Sequence, residues 1–346
     1  MDDFYSNNYK RFMIIPIILL IPMFFLIFVA PGITQGMDFT GGNSILISTH
    51  KSLDSIKIEN ILKDFSLTEI KVSTTVSPTD FGAKIQYTDK TEIEAERLLA
   101  LAESALADEP EKSIDYSKQV VKLISNKSVQ GTEALAVLNE AQDALVNYNE
   151  NQTTNIKNQI INSFSLDSSK TDFKLIKISP TLGSESFNGI LIIAIIGMIL
   201  ISIVIFVAFR EIGPSLAIIQ AMVFDVIAGL CGMALIGIPL SLSTIPALLM
   251  LVGYSVDTDI MLTSKVLKEK NGTASQRATA SMKTGLTMTG TTLSALAVMI
   301  VMSYMYNIEI IYFISLILLF GLIGDVISTW LMNAPLLLII EEMRKK

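Results

Sequence analysis

Four carboxylates stand where water is scarce. Asp225, Asp257, Asp259 and Asp325 each interrupt a long apolar run, and an aspartate near the centre of a membrane helix costs about 2.5–3.5 kcal/mol on insertion scales. Counted at about 1.5 Å per residue from the ends of those runs, Asp225 lies about 17 Å from one face and Asp257 and Asp325 about 22 Å from the other, at comparable, near-central depths. No Lys or Arg occurs inside any of the runs. Lys265 stands about 12 Å further along a helix than Asp257, and Lys283 sits just ahead of the fifth run. Acids so placed are neutralised by protons, by a sodium ion, or by water and a partner chain. A titratable acid at mid-depth is the expected element of a proton pathway, where each charge moved across the field gains about 2.3 kcal/mol per 100 mV. Asp257 and Asp259 are two residues apart, so on an α-helix they point about 200° away from each other and only one faces the core. Gly253, four residues before Asp257, lies on the side of Asp257 and lets another backbone come close.

The elements that must carry these acids follow from composition. The 346 residues are 51% hydrophobic and 17% charged, with mean hydropathy +0.53, which excludes an ordinary soluble globule. Six stretches reach the roughly 20 apolar residues a spanning helix needs: 12–30, 188–209, 214–238, 242–262, 286–304 and 310–340. The first is followed by Pro31-Gly32 rather than a small-x-small cleavage site, and reads as a retained anchor. Lys10 and Arg11, Arg210, the bases Lys265, Lys268, Lys270, Arg277 and Lys283, and the terminal Arg344, Lys345 and Lys346 all fall on one side of the resulting topology. The positive-inside rule then predicts residues 1–11 and 341–346 in the cytoplasm of a multi-pass plasma-membrane protein, with 31–187 outside.

Residues 31–187 hold 22 acids and 15 bases, which accounts for the whole net charge of −7. An acidic exposed domain repels nucleic acid and gains nothing from anionic headgroups. Within it Ser44–Ile47, Ile70–Thr75, Ala83–Thr88 and Phe173–Ile178 read as strands and Leu53–Phe65 as an amphipathic helix. This order predicts an α+β, ferredoxin-like arrangement. Thr91–Phe164, rich in Ala, Glu, Leu and Lys with apolar residues at helical spacing, predicts an inserted helical subdomain.

Three motifs carry a family resemblance. Gly36-Met37-Asp38-Phe39-Thr40-Gly41-Gly42 is similar to a G-x-D-F-T-G-G signature, Gly253-Tyr254-Ser255 to a fourth-span G-Y-S, and Phe224-Asp225-Val226 to a third-span H-D-V. With Ser179-Pro180-Thr181-Leu182-Gly183 before the second span and one span, an outer domain, then five spans, the chain resembles the SecF family of SecD–SecF protein-export auxiliaries, in the resistance-nodulation-division superfamily. Bacterial members read N-D after G-Y-S-x; Asp257-Thr258-Asp259 is similar to archaeal members, as are Asp325, Thr329-Trp330-Leu331 and Asn333-Ala334. Lys283 stands where the family carries Arg, keeping the charge but not its planar fork. The resemblance implies a SecD-like partner, the Sec translocon channel, a translocating polypeptide and the proton-motive force. On it Asp257 is the preferred proton carrier, with Asp225, Asp259, Asp325 and Lys283 in the same pathway. A small-molecule or lipid exporter of the same superfamily and a passive translocon scaffold are the competing readings.

Other chemistry is poorly provided for. The lone Cys231 forbids an internal disulfide and leaves a zinc cluster short of ligands. No Lys-Ser/Thr follows Gly42, so the glycine-rich turn is no phosphate loop. His50 with Asp54 reads as solvent-facing polarity, and neither a hydrolase or transferase constellation nor a cofactor is expected.

Overall fold

The computed structural model describes residues 4–5, 9–65, 67–76, 81–125, 131–178, 180–306 and 308–344, so that Ser179, Lys345 and Lys346 of the expectations above lie outside the described residues. In chain order the elements are α1 (Tyr9–Phe12), α2 (Ile14–Phe28), α3 (Met37–Thr40), β1 (Gly42–Thr49), α4 (Ser55–Lys63), β2 (Thr68–Val76), β3 (Phe81–Thr88), α5 (Lys90–Ala105), α6 (Pro110–Ser125), α7 (Ala134–Phe164), β4 (Asp172–Ile178), α8 (Pro180–Phe209), α9 (Ile212–Ile236), α10 (Thr244–Lys268), α11 (Ala274–Met305), α12 (Glu309–Ser328), a π-helical turn (Thr329–Asn333) and α13 (Ala334–Arg344). They form two units, Met1–Gly36 with Asn188–Lys346, and Met37–Phe187.

The first unit is helical. Among the described residues, six helical stretches are long and apolar enough to cross a membrane: Tyr9–Phe28, Phe187–Phe209, Ile212–Ile236, Thr244–Lys268, Ala274–Met305 and Glu309–Arg344. α9, α10 and α12 make its centre, where Ile218, Met222, Met233, Leu251 and Ile317 are buried. Missing side chains bring these helices together. A Cβ on Gly324 would sit 2.4 Å from the Ala228 methyl and one on Gly321 2.2 Å from Leu251, so a side chain at Gly324 forces α12 away from α9 and one at Gly321 displaces the Leu251 side chain. α2 lays Met23 and Ile27 against Phe224, Ala228 and Cys231, and α8 touches the centre through Ile205. Their other faces expose Ile14, Ile18 and Phe28, and Ile192, Ile193 and Val204, as lipid-facing helices do. α11 begins well before the apolar run 286–304 because Thr273 accepts from the Gln276 N–H at 3.2 Å while the Gln276 side chain accepts from the Thr273 N–H at 3.0 Å. Lys283 is thereby a helical residue.

The second unit is a four-stranded sheet in the order β2-β3-β1-β4, with every neighbouring pair antiparallel. Ile45 pairs with Ile85 on one side and Leu175 on the other. Ile45, Ile47 and Ile85 close a core with Ile58 and Leu62 of α4 and Ile156 and Ile160 of α7, each worth about 1.5–3 kcal/mol of apolar burial. α4 starts at Asp54, whose side chain accepts the Ile56 N–H at 2.9 Å. α7 serves two cores. Its last turns cover the sheet, whereas Ala141 and Leu145 nearer its start pack against Ala95 and Leu98 of α5 and Val120 and Val121 of α6.

An ionic clamp fastens α5 to the sheet. Lys177 of β4 lies 2.5 Å from Glu92 and 2.8 Å from Glu96, and Asn43 of β1 donates its amide to the other Glu92 oxygen at 2.5 Å. Burial alone pulls the Lys177 ammonium down, but its hydrogen bonds to the two carboxylates outweigh that and leave it above the ordinary 10.5. A cation held more firmly in the fold than in the unfolded chain adds stability that is complete below 10.5 and fades as pH climbs through the raised value. Lys177→Met strands two carboxylates and is expected to cost about 3 kcal/mol, the low end for a buried pair losing one partner because Lys177 keeps a third of its surface in water. Hydrogen exchange of β1 and β4 amides at neutral pH measures the loss, and thermal melts of wild type and variant in detergent begin to approach each other at pH 10.5 and meet only beyond the raised value. Equal exchange at neutral pH contradicts the clamp.

Candidate functional site

Asp225 of α9, Asp259 of α10 and Asp325 of α12 are fully buried and joined by short side-chain bridges. Ser255 of α10 donates to Asp225 Oδ2. Ser328, the last residue of α12, donates to Asp225 Oδ1 at 2.6 Å and also faces the Asp325 carbonyl at 3.2 Å. The Thr329 hydroxyl lies 3.1 Å from Asp325 Oδ1 and 2.9 Å from Asp259 Oδ1, and the Asn333 amide donates to the same Asp259 oxygen at 2.6 Å.

A proton count decides what this arrangement can do. A hydroxyl carries one hydrogen, so Thr329 serves Asp325 or Asp259 but not both at once. Asp259 Oδ2, Asp325 Oδ2 and Asn333 Oδ1 are sealed from solvent with no donor among the described residues. Acceptor oxygens outnumber donors. Among the described residues no Lys or Arg forms an ion pair with these acids; buried Arg277 instead donates to the Val266 carbonyl at 2.6 Å and the Gly272 carbonyl at 2.8 Å and lies 3.7 Å from Glu341. Two ionised carboxylates as close as Asp259 and Asp325, bridged by one hydroxyl, repel by about 3 kcal/mol even at an effective dielectric of 20, before any cost of desolvation.

Local backbone geometry sets up the bridge. Asp325, Thr329 and Asn333 recur at intervals of four along one helix face, and the π-helical turn from Thr329 to Asn333 aims the last two at Asp259. The Tyr5 hydroxyl donates to the Trp330 carbonyl at 2.9 Å within that turn. Trp330 lies so close to α11 that a Cβ on Gly285 would fall 2.3 Å from its ring. π-turns inside α-helices collect at functional sites because they redirect side chains at the expense of regular hydrogen bonding.

Asp257 stands apart. The buried stripe of α10 runs through Leu251, Ser255, Thr258, Asp259, Leu262 and Val266 at helical spacing, which takes Asp259 inward and leaves Asp257 exposed with Gly253 and Tyr254. Of the two acids, one of which was expected to face the core, Asp259 is the buried one, while Asp257, the carrier preferred on the family resemblance, lies on the exposed face. Lys283 is also exposed, on α11, along with Thr284, Thr287 and Thr291, whose hydroxyls bond back to carbonyls of their own helix at 3.3, 2.9 and 2.7 Å. Lys265 reaches the Thr284 hydroxyl at 3.4 Å. Ser328, Thr329 and Asn333 are site residues that charge alone does not reveal; the signal for Thr329 and Asn333 is a polar residue every fourth position from Asp325 in an apolar helix, and Ser328 stands one turn on, at the third.

The glycine-rich signature has an architectural role. Gly36 donates its N–H to the Leu240 carbonyl at 2.6 Å while Leu240 donates to Thr34 at 2.8 Å, and a Cβ on Gly36 would be 2.9 Å from that carbonyl. Asp38, Phe39 and Thr40 form the single turn of α3, with Phe39 buried edge-on against Phe187 at 4.9 Å. Gly41 and Gly42 follow at φ +77° and +138°, the second a backbone shape essentially reserved to glycine.

The profile of the family described as protein export membrane protein SecD/SecF, C-terminal, matches residues 157–343. A protein-export membrane protein SecF of Methanothermobacter thermautotrophicus is 40% identical over 162 residues, 46% of this chain and 56% of the relative. One of Thermococcus gammatolerans is 33% identical over 249 residues, 66% of this chain and 77% of the relative. The chain thus spans little more than half of the first relative. In fold, the chain is similar to the crystal structure of SecDF, a translocon-associated membrane protein of Thermus thermophilus, at TM-score 0.57 and 16% identity, covering 97% of this chain and 38% of that one.

A cluster starved of positive charge is a stability liability. Asp259→Asn keeps the shape and turns a side chain that only accepts into one that also donates, among oxygens that lack a donor. The variant is expected to raise the stability of the helical unit by about 1–3 kcal/mol, the cost of leaving a buried polar group unsatisfied. Thermal unfolding in detergent reads it; a lowered midpoint means Asp259 is paired in some other way.

Proposed function

The chain belongs to the SecD/SecF family of protein-export membrane proteins, and from that premise we propose that it is a SecF-like subunit working with a SecD-like partner beside the Sec translocon channel. In this reading the proton-motive force, drawn through Asp225, Asp259 and Asp325, promotes passage of a polypeptide across the cytoplasmic membrane. The observation that carries it is the buried relay of three carboxylates with more acceptors than donors. A proton added at Asp325 leaves the Thr329 hydroxyl to Asp259, so occupancy at one acid alters the bonding of the next. Ser255 and Ser328 hold Asp225 between α10 and α12, so its protonation loosens two helices at once. The family match favours this reading over the small-molecule or lipid exporter.

Three finer readings accompany it. The bases Lys10, Arg11, Arg210, Lys265, Lys268, Lys270 and Arg344 support cytoplasmic termini under the positive-inside rule. The antiparallel order β2-β3-β1-β4, with α4 and the late turns of α7 on the core, supports a ferredoxin-like extracytoplasmic domain carrying α5, α6 and the start of α7 as its insertion. Asp257, Tyr254 and Lys283 on the uncovered faces of α10 and α11 support a seat for the partner there, since a carboxylate or ammonium facing lipid is costly. Asp257 then serves the pathway from the partner's side.

Asp225→Asn and Asp259→Asn are each expected to lower gradient-stimulated export in membrane vesicles about tenfold or more while the partner still co-purifies; wild-type export in both variants contradicts the relay. Asp257→Leu with Lys283→Leu is expected to reduce co-purification of the SecD-like subunit, leaving the thermal midpoint of the isolated chain unchanged. Retained association in that pair removes the partner seat from these faces.

A further inference from the structure

The middle of α7 works against its own helix. Residues 147–155 read Asn147-Tyr148-Asn149-Glu150-Asn151-Gln152-Thr153-Thr154-Asn155, and Asn and Thr rank low as helix formers because their short polar side chains compete for backbone hydrogen bonds. A segment that merely bridged the two cores would be better made of Ala, Glu and Lys. Asn147, Asn151 and Asn155 are exposed, fall at intervals of four along one face, and line a cleft of about 630 Å³ between α6 and α7. Among the described residues their amides have no hydrogen-bond partner. Tyr148 and Gln152 serve the fold, donating to Asp89 at 2.8 Å and to Tyr148 at 3.1 Å, whereas the three asparagines give up local preference at a cleft, as functional or strained sites do.

We propose that this cleft binds an extended, unfolded stretch of polypeptide carrying basic side chains, an inference that rests on the protein-export reading. A side-chain amide offers a donor and an acceptor together, the complement of a peptide group. Positions four apart on a helix are about 6 Å apart along its axis, and an extended chain turns the same edge of its backbone outward about every 6.7 Å. Three amides thus meet alternate peptide groups of one strand, whatever its sequence. Val121 and Ile124 give the cleft an apolar side, and Glu140 and Asp143 line it too, attracting Lys and Arg and repelling acidic stretches.

The test uses the full chain in detergent and a short, unstructured, fluorescein-labelled peptide containing lysines, with binding read by anisotropy. The peptide binds wild type, and the triple variant Asn147→Ala, Asn151→Ala, Asn155→Ala weakens it about tenfold or more. Ala strengthens the helix, so unchanged helix content by circular dichroism accompanies the loss. N-methylation of alternate peptide nitrogens abolishes binding to wild type. Glu140→Gln with Asp143→Asn weakens the lysine peptide but not one with norleucine in place of lysine. No binding by wild type, equal binding by the triple-alanine variant, or equal binding of the N-methylated peptide overturns the proposal, as does a preference for maltoheptaose, which assigns the cleft to a glycan. Binding here needs neither partner nor gradient, so Asp259→Asn leaves it unchanged, and failure of the relay is separable from failure of the cleft.

Discussion

Acceptor oxygens in excess of donors, sealed among apolar helices with no cation paired to them among the described residues, are the condition on which the rest of the helical unit depends. Three aspartates from three helices meet Ser255, Ser328, Thr329 and Asn333, and those four bring too few hydrogens. Every hydrogen added or removed must be matched by a reorientation of Thr329 or a change in how tightly Ser255 and Ser328 grip Asp225. Among the described residues no base pairs with these acids to lock one ionic form, which is the condition the proposed loading and unloading by a gradient requires. Close packing makes those changes felt elsewhere. Gly321 and Gly324 bring α12 onto α9 and α10 with no side chain between, so a shift of α12 cannot be absorbed locally.

The π-helical turn ties that cluster to the end of the chain. By presenting Thr329 and Asn333 to one aspartate it costs regular helix hydrogen bonding, and Tyr5 takes one of its carbonyls. The Tyr5 phenol is buried and pushed above its ordinary value for that reason, so it stays a neutral donor at any physiological pH. Acidity and helix geometry meet at one place.

Much of this was legible before any coordinates. Six apolar runs marked six helices, because hydropathy over about 20 residues is a strong signal, and alternating Ile45 and Ile47 marked a strand. The choice between Asp257 and Asp259 was not legible. Two residues apart they must part company, but which one turns inward depends on where α9 and α12 lie, and that is decided by Gly321, Gly324 and Ala228 on other helices. The polar steps at Asp325, Thr329 and Asn333 were visible as residues, whereas the π-turn that aims them is a tertiary compromise with no local pattern. The start of α11 was missed for the opposite reason: Thr273 and Gln276 are a local cap signal that a hydropathy window starting at 286 passes over.

Infrared difference spectroscopy of the chain reconstituted with its SecD-like partner, with and without an imposed proton gradient, tests the central claim most directly. The account predicts protonated-carboxyl bands that change when the gradient is applied and lose intensity in the Asp225→Asn and Asp259→Asn variants. Carboxyl bands that the gradient leaves untouched would mean that the three aspartates are fixed hydrogen-bonding struts, and would contradict it.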